Sequence, residues 1–322
     1  MLPVVPIQVP EALVASLVEC HGTDGRVWAE GLPALAAATA DRWGLRPDGP
    51  PAHGAVALVL PVRRADGSRA VLKLQRVDEE TAGEPLALRA WGGRGAVRLP
   101  DHDPGTGSML LERLDPARSL LALPDDRAAT LVLADLLAEL TGHRAPPGLR
   151  TLAEVADGLL AEVPAARERL AGEDDRRLLA DLAAALREVR PEPGDRLLHW
   201  DLHYGNVLAP TAPGPRAPWL AIDPKPLAGD PGFELLPALG NRWSDLAVTG
   251  DLPRALRLRF DLLTDRLALD RPRAVRWTLA RVLQNVLWDL ADGGSVIDGT
   301  QRTIAEALSG REDGSRITRP GR

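Results

Sequence analysis

One stretch decides what architecture this chain can adopt: Leu198-His199-Trp200-Asp201-Leu202-His203-Tyr204-Gly205-Asn206-Val207-Leu208. It reads H-x-D-x-x-x-x-N, and Trp219-Leu220-Ala221-Ile222-Asp223-Pro224 follows it. Leu197-Leu198 leads in as a strand, Val207-Leu208-Ala209 leads out, and residues 219–222 return. The connector 210–218 is rich in Pro, Gly and Thr, as a hairpin loop requires. The pattern predicts a β-hairpin with two carboxylates and an amide at its mouth.

Three readings compete for these residues. In the first, the pattern resembles the catalytic loop and metal aspartate of kinase-like phosphotransferases, which implies that Asp201 orients an acceptor hydroxyl and takes its proton. The Asn206 amide oxygen and the Asp223 carboxylate hold Mg²⁺ against the phosphates of ATP, and His199 braces the loop. In the second, His199, Asp201 and His203 alternate along a strand, share one face and bind a transition metal. In the third, this is an ordinary hairpin with polar turn residues. The first is favoured because the flanking strands it requires are present.

With 322 residues the chain can bury a sizeable core and divide into two lobes. A net charge of −6 argues against a broad nucleic-acid footprint and suits a cationic small molecule. A single cysteine, Cys20, excludes an intrachain disulfide. The start, Met1-Leu2-Pro3-Val4-Val5-Pro6, lacks the basic flank of a secretory signal, and no apolar run reaches membrane-spanning length. A soluble cytoplasmic protein with no membrane partner is therefore expected; the sequence does not set an oligomeric state. Of 39 lysine and arginine residues only Lys73 and Lys225 are lysine. Where arginine does the general cationic work, a remaining lysine points to a place that needs a compact ammonium. Asn206 is one of three asparagines, and the same reasoning applies to it.

Helices are expected over 10–19, ending at Gly22, and over 33–43, stopping at Gly44. Strands are expected over 55–63, with Pro61 demoting part of it, and over 69–75, joined by an Asp66-Gly67 turn. A helix over 85–91 and strands over 96–99 and 108–114 complete a small antiparallel sheet. Beyond it, helices are expected over 126–140, 152–170, 174–189, 252–267 and 274–291, interrupted by the hairpin. The polar tail 309–322 reads as mobile.

A small sheet, a linker and a helical lobe carrying H-x-D-x-x-x-x-N and I-D-P resemble the aminoglycoside phosphotransferase branch of the kinase-like fold. A longer run, Trp219-Leu220-Ala221-Ile222-Asp223-Pro224-Lys225-Pro226-Leu227-Ala228-Gly229-Asp230-Pro231-Gly232-Phe233-Glu234-Leu235, narrows this. With Ala70-Val71-Leu72-Lys73-Leu74 and Leu110-Leu111-Glu112-Arg113-Leu114, it is similar to the streptomycin 6-phosphotransferase and hydroxyurea phosphotransferase group, over residues 9–308. These motifs specify the superfamily far better than the substrate. The resemblance implies an α+β, bilobal protein-kinase-like fold. Residues 1–114 would be a nucleotide-binding N-lobe with the small antiparallel sheet. Residues 115–308 would be a mainly helical C-lobe with the catalytic hairpin and the acceptor site.

It also implies ATP and Mg²⁺, and transfer to a small-molecule hydroxyl. Asp201 is then the catalytic base, Asn206 and Asp223 the metal ligands and His199 a loop brace. Lys73 matches the strand lysine that neutralises the α- and β-phosphates, although a strand lysine can also snorkel at an edge. Glu84 matches its helix-borne partner, with Glu79 and Glu80 as rivals. Thr81-Ala82-Gly83-Glu84 also reads as a capping box. The phosphate-covering loop would lie at 50–54, where only Gly54 remains of a glycine-rich tip. Backbone groups near Glu112 and Leu114 would bond adenine. His203 could cap the loop, Trp200 could pack beneath it, and Asp230 reads as a structural N-cap. Lys225 could approach the transferred phosphoryl or anchor its loop to an acidic neighbour. Asp245, Asp289 and Asp292 are candidates for pairing with a cationic acceptor, with Trp243 and Trp288 as walls; Trp277 and Trp288 could equally be core. A streptomycin-type aminoglycoside is the leading acceptor, hydroxyurea or another small metabolite the alternative. A nucleotide-binding pseudokinase is a further reading, opposed by the intact Asp201, Asn206, Asp223 and Lys73.

Overall fold

Burial alternates along residues 58–63, and apolar residues recur at helical spacing in the second half of the chain. The computed structural model describes residues 7–212, 214 and 216–310; the rest of the tail expected to be mobile lies outside them. The chain begins with α1 (Glu11–Trp43), β1 (Arg46–Pro47), β2 (Ala52–His53), β3 (Ala57–Arg63), β4 (Arg69–Gln75) and α2 (Glu84–Trp91). Then come β5 (Asp101–Asp103), β6 (Ser108–Glu112), β7 (Leu114–Ser119), α3 (Asp126–Thr141), α4 (Leu152–Arg169) and α5 (Glu173–Val189). Strands β8 (Arg196–Leu198), β9 (Val207–Pro210), β10 (Leu220–Ala221) and β11 (Leu227–Gly229) carry the central motif. Helices α6 (Leu236–Gly240), α7 (Trp243–Ala247), α8 (Leu252–Arg266), α9 (Arg271–Ala291) and α10 (Gly299–Ser309) follow.

These elements form two compact units. The first takes Met1–Ser119, Pro146–Leu149 and Val207–Pro226; the second takes Leu120–Ala145, Arg150–Asn206 and Leu227–Arg322. The β9–β10 hairpin thus belongs with the first unit, although it follows residue 114 in the chain.

In the first unit the antiparallel order is β1-β3-β4-β6-β5, with β2 also pairing β3. Leu58, Leu60 and Val62 of β3, Ala70, Leu72 and Leu74 of β4, and Leu110 of β6 form one core with Leu13, Leu17, Leu32 and Ala36 of α1. Each fully buried leucine contributes about 2 kcal/mol by leaving water. The sequence predicts two helices where α1 runs on, broken only at Gly22 (φ 58°, ψ −133°), with Pro33 inside the second segment. Residues 96–99 do not join the sheet. Val97 N–H donates to the Ala221 carbonyl and Ala221 N–H to Gly95, so this stretch pairs with β10, and β5 takes the sheet edge instead. The strand expected over 108–114 is two strands, and β7 pairs β9 in a second, three-stranded sheet.

In the second unit α9 is buried by α4, α5, α8 and α10. Its long apolar face includes Trp277, Val282, Leu283, Val286 and Leu290. It starts three residues earlier than its pattern predicts, because the Asp270 carboxylate caps it by accepting from Arg273 N–H. Strand β8 pairs antiparallel with β11. Helices α6, α7 and α10 were not predicted: the first two are single turns, and α10 buries only Ile304, Ala305, Ala307 and Leu308. Among the described residues no helix is long and apolar enough to cross a membrane.

Candidate active site

The strand period turns Lys73 inward from β4, between the buried Leu72 and Leu74. Its Nζ donates to both Glu84 carboxylate oxygens, each at 2.8 Å, and to Asp223 Oδ1. Gln75, two residues along the same strand, donates from Nε2 to Glu84 Oε2 at 2.6 Å. Burial works against the Lys73 charge, but Glu84 and Asp223 outweigh it and hold its pKa above the ordinary lysine value. The capping-box alternative for Glu84 does not hold. Gly83 is the N-cap of α2 with no side-chain cap, and Thr81 Oγ1 is engaged by Asp78 and the Arg76 carbonyl instead. Glu80, one of the rivals, pairs with Lys225 at 3.5 Å, so Lys225 anchors its loop to an acidic neighbour.

Asp223 follows β10 at φ 59°. Aspartate tolerates this left-handed conformation better than most residues, and Pro224 disfavours the right-handed one. Its side chain remains 43% exposed where Lys73 and Glu84 are buried, so its carboxylate is open to solvent and solutes.

In the second unit the loop after β8 is held peptide by peptide. Glu234, fully buried, accepts from Trp200 N–H at 2.7 Å and also from His199 N–H. Burial, opposed by these donors and by Arg281, pushes its carboxyl up to about 7. The buried His199 ring accepts from Asp201 N–H at 3.4 Å through Nδ1, a contact that braces the loop. Asn206 Nδ2 and His203 N–H both donate to the Asp201 carbonyl at 3.0 Å. With its nitrogen so engaged, Asn206 has its amide oxygen left for a hard cation. Gly205 N–H donates to His203 Nδ1 at 3.0 Å, which makes His203 a cap of the turn. Trp200 is buried at φ 64°, a strained conformation for a bulky residue.

The other predicted residues fall variously. Gly54 sits at the exposed tip of the β2–β3 hairpin, its N–H bonded to the Ala57 carbonyl. Open space surrounds it, so no steric reason requires glycine there. Glu112, near which backbone groups are expected to bond adenine, ends β6. Its N–H donates to the Arg98 carbonyl at 3.0 Å, and its carboxylate takes Arg216 Nη1 at 2.6 and 2.5 Å. Leu114 opens β7 opposite Pro210. Asp245 accepts from Arg242 Nε at 2.9 Å, and its side chain is 39% exposed. Trp243 is half-buried at the start of α7. Asp289 and Asp292 are exposed at the end of α9. Partial burial, then Asp298 and Asp292, raise the Asp289 pKa. Trp288 is 41% exposed, whereas Trp277 is core, edge-on to Phe233. Asp230 caps the turn at Pro231–Glu234 and binds Arg273, as a structural residue would.

Sequence reasoning missed Gln75, Glu234 and Arg281. The spacing of Gln75 from Lys73 on one strand face was a usable signal; Glu234 lies in a single turn without periodicity. Among the described residues no group of three or more His, Cys, Asp or Glu side chains could hold a metal, which removes the support for a His199–Asp201–His203 centre.

An α+β fold with a buried lysine–glutamate pair, a hairpin-borne aspartate and a braced H-x-D-x-x-x-x-N loop defines a phosphotransferase of the kinase-like class. Residues 42–293 match the model of the aminoglycoside/hydroxyurea antibiotic resistance kinase family, and the chain belongs to that family. It is an ATP-dependent small-molecule kinase. It is 54% identical to a streptomycin 6-kinase of Streptomyces glaucescens over 94% of this chain and 98% of the relative. It is 57% identical to a hydroxyurea phosphotransferase of Kitasatospora aureofaciens over 95% of this chain and 87% of the relative. The crystal structure of the macrolide 2′-phosphotransferase MphH from Brachybacterium faecium shares the fold, with a TM-score of 0.55 and 19% identity over 87% of this chain and 99% of that one.

Proposed function

We propose that this kinase transfers the γ-phosphoryl group of ATP to the 6-hydroxyl of a streptomycin-type aminoglycoside in the cytoplasm, and so confers resistance. The observation that carries this reading is the 54% identity to a streptomycin 6-kinase across nearly the whole of both chains. Asp201 orients the acceptor hydroxyl and takes its proton. Lys73, kept charged by Glu84, settles the leaving diphosphate. Asn206, through its amide oxygen, and Asp223, through a carboxylate whose side chain is 43% exposed, are the Mg²⁺ ligands. When bound, Mg²⁺ neutralises charge on the β- and γ-phosphates. Positioning and charge neutralisation supply most of the acceleration. The backbone groups near Glu112 and Leu114 and the turn at Gly54 are the proposed nucleotide contacts. Asp289 and Asp292, beside Trp288, are the proposed contacts of a cationic acceptor; a raised Asp289 pKa is what a nearby cation would reverse.

Hydroxyurea is the second reading, favoured by the 57% identity to a hydroxyurea phosphotransferase. A coupled assay of ATP turnover across streptomycin, other aminoglycosides and hydroxyurea separates the two. The expected result is streptomycin-dependent turnover that Asp201→Ala lowers by about three orders of magnitude while nucleotide binding survives. Asp223→Ala should weaken Mg²⁺-dependent nucleotide binding as well. Equal and mild losses in both variants would overturn the assigned roles.

A further inference from the structure

We propose that Arg281 is a positioning residue: its guanidinium clamps Trp200 in the left-handed conformation and thereby fixes the peptide that carries Asp201. The proposal rests on reading Asp201 as the base.

Trp200 is the residue immediately before Asp201, and its φ of 64° is one that glycine adopts freely and a large side chain does not. Something must hold it there. Arg281 reaches it from α9 and is only 7% exposed. Its Cζ lies 5.1 Å from the Trp200 ring, 5.3 Å from Trp288 and 5.5 Å from Phe233. Trp288 itself tilts against Trp200 with ring centroids 6.3 Å apart. A guanidinium among three rings is attracted to their faces, the more so out of water. Its Nη2 approaches the Trp200 carbonyl at 3.5 Å, and its Nη1 donates to Gln284 Oε1. The carboxylate of Glu234 attracts it, and that same carboxylate receives Trp200 N–H. Both ends of the Trp200 residue are thus held, the N–H by Glu234 and the carbonyl by Arg281. Arg150 adds a second cation to the ring, its Cζ 4.7 Å from the centroid.

The planar fork of arginine makes the ring and carbonyl contacts together. Lysine would keep the charge and lose that geometry. If Arg281 serves only core packing, its loss lowers stability and leaves turnover intact in whatever protein stays folded. If it positions the loop, turnover falls in folded protein, and the fall depends on whether residue 200 needs clamping.

The test is a double-mutant cycle on the intact chain. Wild type, Arg281→Met, Trp200→Gly and the double variant are assayed with saturating ATP and streptomycin, or hydroxyurea if that is the acceptor turned over, at least 15 °C below each thermal midpoint. Arg281→Met is expected to lower kcat at least tenfold with KM for ATP within twofold. In the Trp200→Gly background the same change should lower kcat less than threefold, because glycine holds the conformation unaided. Arg281→Lys, assayed alongside, should recover part of the lost turnover. A fall of under threefold in Arg281→Met, or an equal factor in both backgrounds, overturns the proposal. Should the methionine variants not fold, Arg281→Lys decides: at least a fivefold loss of kcat in folded protein supports the clamp, and full turnover refutes it. Asp201→Ala is the separate control. If that variant keeps wild-type kcat, the base assignment fails; if it is inactive while the Arg281 variants are normal, only the clamp fails.

Discussion

Lys73 stands out in the sequence by its rarity, and its partners explain why arginine does not replace it. A single Nζ meets both oxygens of Glu84 and one of Asp223, a point-charge arrangement that a planar fork would not satisfy. Glu84→Ala would leave that buried ammonium with a half-exposed partner. Removing one member of a buried pair costs about 3 kcal/mol. The expected outcome is a clear loss of thermal stability together with a more than tenfold fall in kcat/KM for ATP, read by thermal denaturation and steady-state kinetics. Glu84 was ambiguous in the sequence because a capping box and a charge partner share its spacing, and only the engagement of Thr81 elsewhere separates them. Glu234 could not be read from the sequence at all, since burial is what makes it special. Burial raises its carboxyl to about 7 against an ordinary value of 4.5. Between those values the folded chain holds a proton that the unfolded chain has lost, so stability from this group is complete below about 4.5 and declines as pH rises through 7. Glu234→Gln keeps an oxygen for Trp200 N–H and removes the titration. Relative to wild type, this variant should gain stability from pH 5 to pH 8 by up to roughly 3 kcal/mol. A difference in thermal midpoint that stays constant across that range would refute this.

The first helix shows where local patterns stop being informative. Gly22 was legible as a break, yet residues 23–32 contain two glycines and gave no reason to expect that the helix resumes at once. The two segments meet closely instead. A Cβ on Gly25 would stand 1.9 Å from the Leu17 carbonyl oxygen, whereas one on Gly22 would meet nothing within 4 Å. Gly22→Ala should therefore be destabilising only through its positive φ, by about 1 kcal/mol. Gly25→Ala must push two backbone segments apart and should cost at least twice as much, by roughly 2–3 kcal/mol. Denaturant titration of both variants checks the order, and kcat should change little in either. The long helices of the second unit were legible because each repeats an apolar face over four or more turns. Strands β8, β10 and β11, of two or three residues each, carry too few positions for a period; only their polar neighbours marked the first two.

Contact between distant stretches of chain is what a linear reading cannot supply, and the two units are built from such contacts. β7 pairs β9, in register Leu114↔Pro210 and Asp115↔Ala209, which draws the hairpin and Asp223 into the same unit as Lys73. No local spacing encodes that pairing. It nevertheless has a thermodynamic consequence if Asp223 serves nucleotide and metal. A ligand that binds only the folded chain stabilises it by about 2.7 kcal/mol at 100 times its Kd. For a chain of 322 residues this corresponds to a rise of roughly 4 °C in the midpoint of the transition it affects. ATP with excess Mg²⁺ should produce that rise in wild type, and ATP with a chelator should produce less. In Asp223→Asn the two shifts should converge, because the amide keeps the size of the side chain and loses the charge that draws the cation. Lys73 loses a carboxylate partner in that variant too, so its midpoint without nucleotide should fall, and each shift has to be measured from that variant's own baseline. Equal shifts with and without the chelator in wild type would separate nucleotide binding from the metal and leave Asp223 as a partner of Lys73 alone.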